Sequence, residues 1–125
     1  MLLLPRFPRY TLSPKSNTKN TKWLTMKRAF IEKVKTAIQE WAKLHPTVEL
    51  ASVVVNPTGL PDDFDVIVVA NKGFENWEQI ERENDLYWFL RKKLGDADIV
   101  KITVLLTLTE EEYDKHEISR NEAYV

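Results

Sequence analysis

Three carboxylates stand close together at the start of a predicted strand. Asp62 and Asp63 precede Phe64, and Asp65 follows it. Because residues two apart on a strand point to the same side, Asp63 and Asp65 could hold one divalent cation, with phosphate oxygens completing its coordination shell. The alternative interpretation of these residues is a solvated acidic turn.

This acidic pair resembles the signature of the minimal nucleotidyltransferase fold, and Asp98, near the third predicted strand, stands as a possible third carboxylate. That family carries a Gly-Ser pair after its first strand to hold nucleotide phosphates. Here the corresponding stretch, residues 55–59, reads Val-Asn-Pro-Thr-Gly. The resemblance therefore implies a degenerate domain, in which Asp63, Asp65 and Asp98 are the remnant of a metal site.

Other reactive groups are sparse. The chain has no cysteine, which excludes disulfides, thiolate metal sites and a catalytic thiol. Its two histidines, His45 and His116, have no neighbours at ligand or triad spacing. Three isolated glycines make no phosphate-binding loop. We expect no catalytic residue and no cofactor, and the sequence favours a protein that is not an enzyme.

Charge is unevenly distributed along the chain. The net charge is −1, but residues 1–31 hold seven basic side chains and no acidic one, while the remainder holds 11 basic and 19 acidic residues. An acidic body repels nucleic-acid phosphates, so we expect such contact only through the basic N-terminal segment. No apolar stretch approaches the ~18–20 residues that span a bilayer. The sequence indicates a soluble, cytoplasmic protein without membrane contact.

Residues 1–25 differ in composition from the rest of the chain. Pro5, Pro8 and Pro14 oppose a continuous helix, and serine, threonine and asparagine follow them. A targeting segment and an extension upstream of the true start are both open interpretations, although the Leu-Leu-Leu run is too short for a signal peptide. We expect residues 1–25 to be a flexible basic extension and residues 26–125 to form a single domain.

Hydrophobic periodicity predicts the order α-β-β-α-β-α. The predicted elements are a helix at 27–44, strands at 47–56 and 64–70, a helix at 76–94 with Gly95 as its C-cap, a strand at 99–108, and a short final helix. Thr109 and Glu112 have the spacing of a capping box for that last helix. The expected fold class is α+β, a three-stranded sheet with helices covering one face.

Burial can be predicted for two of these elements. Alternation in the third strand favours a buried set made of Val100, Ile102, Val104, Leu106 and Leu108, with Leu105 less buried. The buried stripe of the second helix is expected to contain Ile80, Tyr87, Leu90 and Leu94, widened by Leu86 and Phe89. Since three consecutive aromatics cannot all face one core, Trp88 is expected to point outward.

The stretch from Asp65 to Tyr113 is similar to the BolA-like family, which has the same element order. The matching features are a strand ending in a valine pair (Val68-Val69), a Phe-Glu pair (Phe74-Glu75), an arginine-led helix segment (Arg82-Glu83-Asn84-Asp85-Leu86-Tyr87), and a strand that closes on Leu-Thr before an acidic helix (Leu108-Thr109-Glu110-Glu111). The resemblance implies the fold and a regulatory or protein-binding role.

Two positions depart from that family. Its Arg-His-Arg stretch is Arg82-Glu83-Asn84 here, and a histidine early in its last strand is Lys101. The family's histidine is implicated in sharing an iron–sulfur cluster with a monothiol glutaredoxin. A lysine cation has no lone pair to offer an iron atom, so no such cofactor is expected in this chain.

Aromatic residues and arginine are concentrated around the second helix. We expect a binding surface formed by Phe74, Trp77, Arg82, Trp88 and Lys101, since tryptophan and arginine are enriched at binding hot spots. The expected partner is another protein or a second copy of this chain. The alternative is that these aromatics complete the core.

Overall fold

The computed structural model describes the backbone of residues 14–123 and the side chains of residues 25–117. Within these residues the elements are α1 (Pro14–Lys43), β1 (Glu49–Pro57), β2 (Phe64–Lys72), α2 (Gln79–Leu94), α3 (Asp96–Ile99), β3 (Ile102–Thr109) and α4 (Glu110–Ala123). The α+β fold and the predicted element order are confirmed, with the single turn α3 added before β3. Among the described residues, no helix combines the length and apolarity that a membrane crossing requires.

Helix α1 begins well before its predicted start at Lys27. Pro14 is its first residue, and proline is compatible with a first helical turn because the N–H it lacks has no partner there. The chain divides into two compact units, Met1–Glu32 and Lys33–Val125, and the sheet lies in the second. Residues 1–13 of the predicted extension lie outside the described residues, and the predicted boundary at Met26 stays a prediction.

The sheet has the order β1-β2-β3, so β2 is the central strand. Strand β1 pairs with β2 in the antiparallel sense, as the short connection between them predicts. Strands β2 and β3 run parallel, which requires the long crossover that α2 provides. Five consecutive residues of β2, from Val66 to Ala70, are buried, as is typical of a strand covered on both faces.

The two faces of the sheet are covered by different helices. The register places Val68 opposite Thr107 on one face, and there Arg82 of α2 contacts the Thr107 hydroxyl. On the other face Ile67, Val69 and Leu108 form a buried cluster. Three half-buried side chains pack against it: Val54 of β1, Leu106 of β3 and Tyr113 of α4. Helix α4 therefore contributes to the second face of the sheet.

The predicted burial of β3 is only partly right. Leu108 is buried, but Val104 is 38% exposed, Val100 lies exposed before the strand begins, and Thr107 is completely buried. Leu105 and Leu106 are both half-buried. The alternation fails because α2 covers the opposite face of the strand and draws Thr107 into the core.

The predicted stripe of α2 is also wrong in part. Leu86, Leu90 and Leu94 are buried, together with Arg82. Two expected members face outward instead: Ile80, with 66% of its surface exposed, and Tyr87. The buried residues of the helix are spaced four apart and begin with Arg82. A search for apolar residues alone does not detect the whole row, because its first member is charged.

Candidate functional site

Arg82 is the most highly connected side chain around α2, and it is only 3% exposed. Its Nη1 donates to the carbonyl oxygens of Phe74 and Trp77, at 3.0 and 2.8 Å. Its Nη2 donates to Thr107 O and Glu112 Oε1, at 2.8 and 2.6 Å. Its Nε lies 2.9 Å from Thr107 Oγ1. Arginine has five N–H donors, so these contacts satisfy the whole guanidinium group.

Helix α2 closes part of an exposed sheet edge. Strand β3 lies at the edge of the sheet, where outward backbone groups have no neighbouring strand to pair with. Arg82 donates to the carbonyl oxygen of Thr107, and Glu83 Oε2 accepts from the Thr107 N–H at 2.9 Å. Two consecutive side chains thus take the place of the next strand at this residue.

Glu112 joins the same network from α4. The predicted capping box is present: Thr109 N–H donates to Glu112 Oε1 at 2.9 Å, and Glu112 N–H donates to Thr109 Oγ1 at 3.1 Å. Burial by itself would raise the pKa of Glu112. The Thr109 N–H bond and the charge of Arg82 outweigh burial and hold that pKa below its usual value of 4.5.

An aromatic cluster supports the loop between β2 and α2. Trp41 and Trp77 stack with ring centroids 5.9 Å apart, and His45 lies 5.0 Å from each of them. Asp85 Oδ2 accepts a hydrogen bond from Trp41 Nε1 at 2.8 Å and lies 2.9 Å from His45 Nε2. The sequence analysis named His45 but identified no partner for it, because Asp85 lies 40 residues away along the chain.

A cavity of about 490 Å³ opens beside His45 and Trp77. Its other lining residues are Thr47, Lys72, Gly73, Glu75 and Asn76. Gly73 has a φ of 100°, and a Cβ there would lie 2.5 Å from Thr47 O. The loop therefore approaches the chain after α1 so closely that only glycine fits.

The outward side of α2 carries an exposed apolar stripe. Trp88 is 57% exposed, and its ring meets Tyr87 edge-to-face at 5.5 Å. Arg91 Cζ lies 5.2 Å from the Trp88 ring centroid. Asn84 and Ile80 are exposed one and two turns before Trp88, respectively. Helical spacing places these five side chains on one side of the helix, and they are called the outer stripe below.

The predicted binding surface divides into separate parts. Phe74, Trp77 and Arg82 do lie together, but Phe74 and Arg82 are buried, so these two cannot contact a partner from the surface as expected. Arg82 instead holds the loop in place, because its guanidinium group donates to the carbonyl oxygens of Phe74 and Trp77. Trp88 points outward, as predicted, on the other side of α2. Lys101 is half-buried and forms an ion pair of 3.3 Å with Asp98.

The predicted acidic residues have different partners. Asp63 accepts hydrogen bonds from the hydroxyls of Thr58 and Thr103. Asp65 lies on the β2 face that contains Ile67.

Asp98 lies in α3, before β3 begins, and its Oδ2 is 2.7 Å from Lys33 Nζ. This hydrogen bond outweighs burial and holds the pKa of Asp98 below its usual value. Among the described side chains, no three histidine, aspartate or glutamate residues gather where a metal ion could lie. The described fold thus does not assemble Asp63, Asp65 and Asp98 into a shared site.

Fold and site together define a small α+β domain with an outward aromatic stripe on its crossover helix. No family model matches the chain, and neither a curated protein nor a solved structure shows significant similarity to it.

Proposed function

We propose that this chain is a small, non-enzymatic, cytoplasmic domain of BolA-like arrangement that acts through protein contacts made by the outer stripe of α2, with another protein or with a second copy of the chain. The observation that carries the proposal is the exposure of Trp88 and Tyr87, next to each other on a helix whose opposite side is already buried. Large aromatic side chains are costly to leave in water, and an exposed cluster of them is typical of an interaction site.

The architecture supports the BolA-like part of the proposal. The order α-β-β-α-β-α is present, and the Leu-Thr-Glu-Glu segment at 108–111 makes the strand-to-helix transition through a formed capping box. Arg82, the one arginine retained from the family's Arg-His-Arg stretch, fastens α2 to β3 and α4. In this proposal the arginine keeps the helix rigid, and the rigid helix presents the outer stripe.

The chemistry of the stripe indicates what it binds. Trp88, Tyr87 and Ile80 offer apolar area, Asn84 lies between Ile80 and Trp88, and Arg91 adds hydrogen-bond donors one turn beyond Trp88. Aromatic residues and arginine are enriched in protein–protein interfaces. Tryptophan and arginine are the residues that most often dominate their binding energy.

The test is binding with and without the central tryptophan. Full-length wild-type protein and the Trp88→Ala variant are used as baits in host extract, recovered proteins are identified, and each candidate is purified for a direct binding measurement. Loss of one hot-spot side chain typically costs about 2 kcal/mol or more, so the dissociation constant should rise at least about tenfold. Glu111→Ala, an exposed change on α4, is the matched control. Equal affinity for the wild-type protein and Trp88→Ala contradicts the proposal.

A further inference from the structure

The outward side of α2 carries opposite charges at its two ends. Glu81 is exposed in the first turn and Lys92 is exposed in the last. Spacings of seven and four residues place Glu81, Trp88 and Lys92 on one side of the helix. At 1.5 Å per residue, the two charges lie about 16 Å apart along the axis, with the aromatic residues between them.

Neither charge forms an ion pair with any described side chain, although three ionic residues around them do. Arg91 is 2.8 Å from Asp96, Lys93 is 2.8 Å from Glu40, and Asp85 is in contact with His45. Within the described part of the chain, Glu81 and Lys92 therefore remain available to an outside partner, and the exposed Glu78 adds a second acid at the Glu81 end.

We infer that the outer stripe pairs with the outer stripe of a second copy of this chain, with the two α2 helices antiparallel. This inference rests on the proposed protein-binding role and names the partner. Antiparallel pairing brings Glu81 of each copy against Lys92 of the other. It also brings the two Trp88 rings close to the twofold axis. Parallel pairing would oppose like charges instead.

The stripe is self-complementary, and this property is what a twofold dimer requires. An interface of this type uses the same surface on both subunits, so each attractive contact occurs twice. The antiparallel arrangement also opposes the two helix dipoles favourably. An anionic membrane surface would be repelled by Glu81, and a purely acidic or purely basic protein would match only one end of the stripe.

Charge reversal tests this arrangement on the full chain. Glu81→Lys and Lys92→Glu should each weaken self-association about tenfold or more in sedimentation velocity, because each places like charges against each other twice. An equimolar mixture of the two variants should recover association. In the mixed dimer the introduced lysine of one variant faces the introduced glutamate of the other, and the native Lys92 faces the native Glu81. Glu111→Lys on α4 is the control and should associate like the wild-type protein.

Two results overturn the inference: a wild-type chain that remains monomeric up to its solubility limit, or single reversals that associate as the wild-type protein does. If the wild-type protein is monomeric and binds another protein in a Trp88-dependent way, the second copy is wrong and the proposed function stands. If Trp88→Ala changes neither self-association nor the binding of any recovered protein, the proposed function fails as well.

Discussion

Arg82 donates from Nε and Nη2 to the backbone carbonyl oxygen of Thr107, at 3.2 and 2.8 Å. The two residues are 25 positions apart in sequence, and both are buried. The contact joins the crossover helix to the edge strand at the point where a further strand would otherwise pair. Together with the Glu83 contact and the buried leucines of α2, this contact fixes the helix, and hence the outer stripe, against the sheet.

Removing this guanidinium should be severe. Arg82→Ala leaves the carbonyl oxygens of Trp77 and Thr107 without their side-chain donor, and the Phe74 carbonyl oxygen keeps only the Trp77 N–H. Unpaired buried polar groups are costly. We expect a loss of about 3–5 kcal/mol in the free energy of unfolding, because each buried acceptor left unpaired costs about 1–3 kcal/mol and a large buried side chain is removed as well. Denaturant titration measures this loss.

Two further variants serve as comparisons for Arg82→Ala: a partial rescue and an exposed control. Arg82→Lys should recover only part of the loss. A single lysine ammonium group cannot reach all the acceptors that the separate nitrogens of the planar guanidinium group contact. Arg28→Ala, an exposed change on α1, should stay within about 0.5 kcal/mol of the wild-type protein. A cost below about 1 kcal/mol for Arg82→Ala would refute the central structural role of this arginine.

Gly73 should tolerate no side chain. Gly73→Ala adds a Cβ that would lie 2.5 Å from Thr47 O, at a φ of 100°. Gly95→Ala is the matched control, because Gly95 also has a positive φ of 91° but open space around its missing Cβ. The control should lose about 1–3 kcal/mol from backbone strain alone. Gly73→Ala should lose clearly more in thermal or denaturant unfolding, and equal losses would show that the close approach does not constrain the loop.

Acid should weaken the contact between α4 and Arg82. The folded pKa of Glu112 lies below its usual value, so its ionised form stabilises the fold above the unfolded pKa. This contribution is lost as the pH falls through the folded pKa. Unfolding free energies measured from pH 7 downward should therefore fall less steeply for Glu112→Gln than for the wild-type protein. Glu111→Gln should follow the wild-type curve, and a Glu112→Gln curve parallel to it would contradict the assignment.

Local sequence signals predicted the parts of the fold that depend on neighbouring residues. The capping box of Thr109 and Glu112, the Gly95 helix end and the β1–β2 hairpin all follow from short spacings, and all are present. The exposure of Trp88 also followed from its position beside two other aromatics. Each of these features needs only a few consecutive residues to specify it.

The burial of Arg82 and Thr107 could not be predicted in this way. Arginine is rarely buried, and its burial here requires carbonyl acceptors from a loop and an edge strand that only the folded chain brings together. The same long-range contact explains the error in β3, where a threonine, and not a neighbouring leucine, occupies the most buried position.

The most direct test of the account compares two tryptophan variants in dilute protein, where self-association contributes nothing to stability. Trp41→Ala removes a fully buried ring and should cost about 3–5 kcal/mol of unfolding free energy. Trp88→Ala should cost less than about 1 kcal/mol while weakening partner binding at least about tenfold. If Trp88→Ala destabilises the fold as much as Trp41→Ala, or leaves binding unchanged, the outer stripe is not the binding surface of this protein.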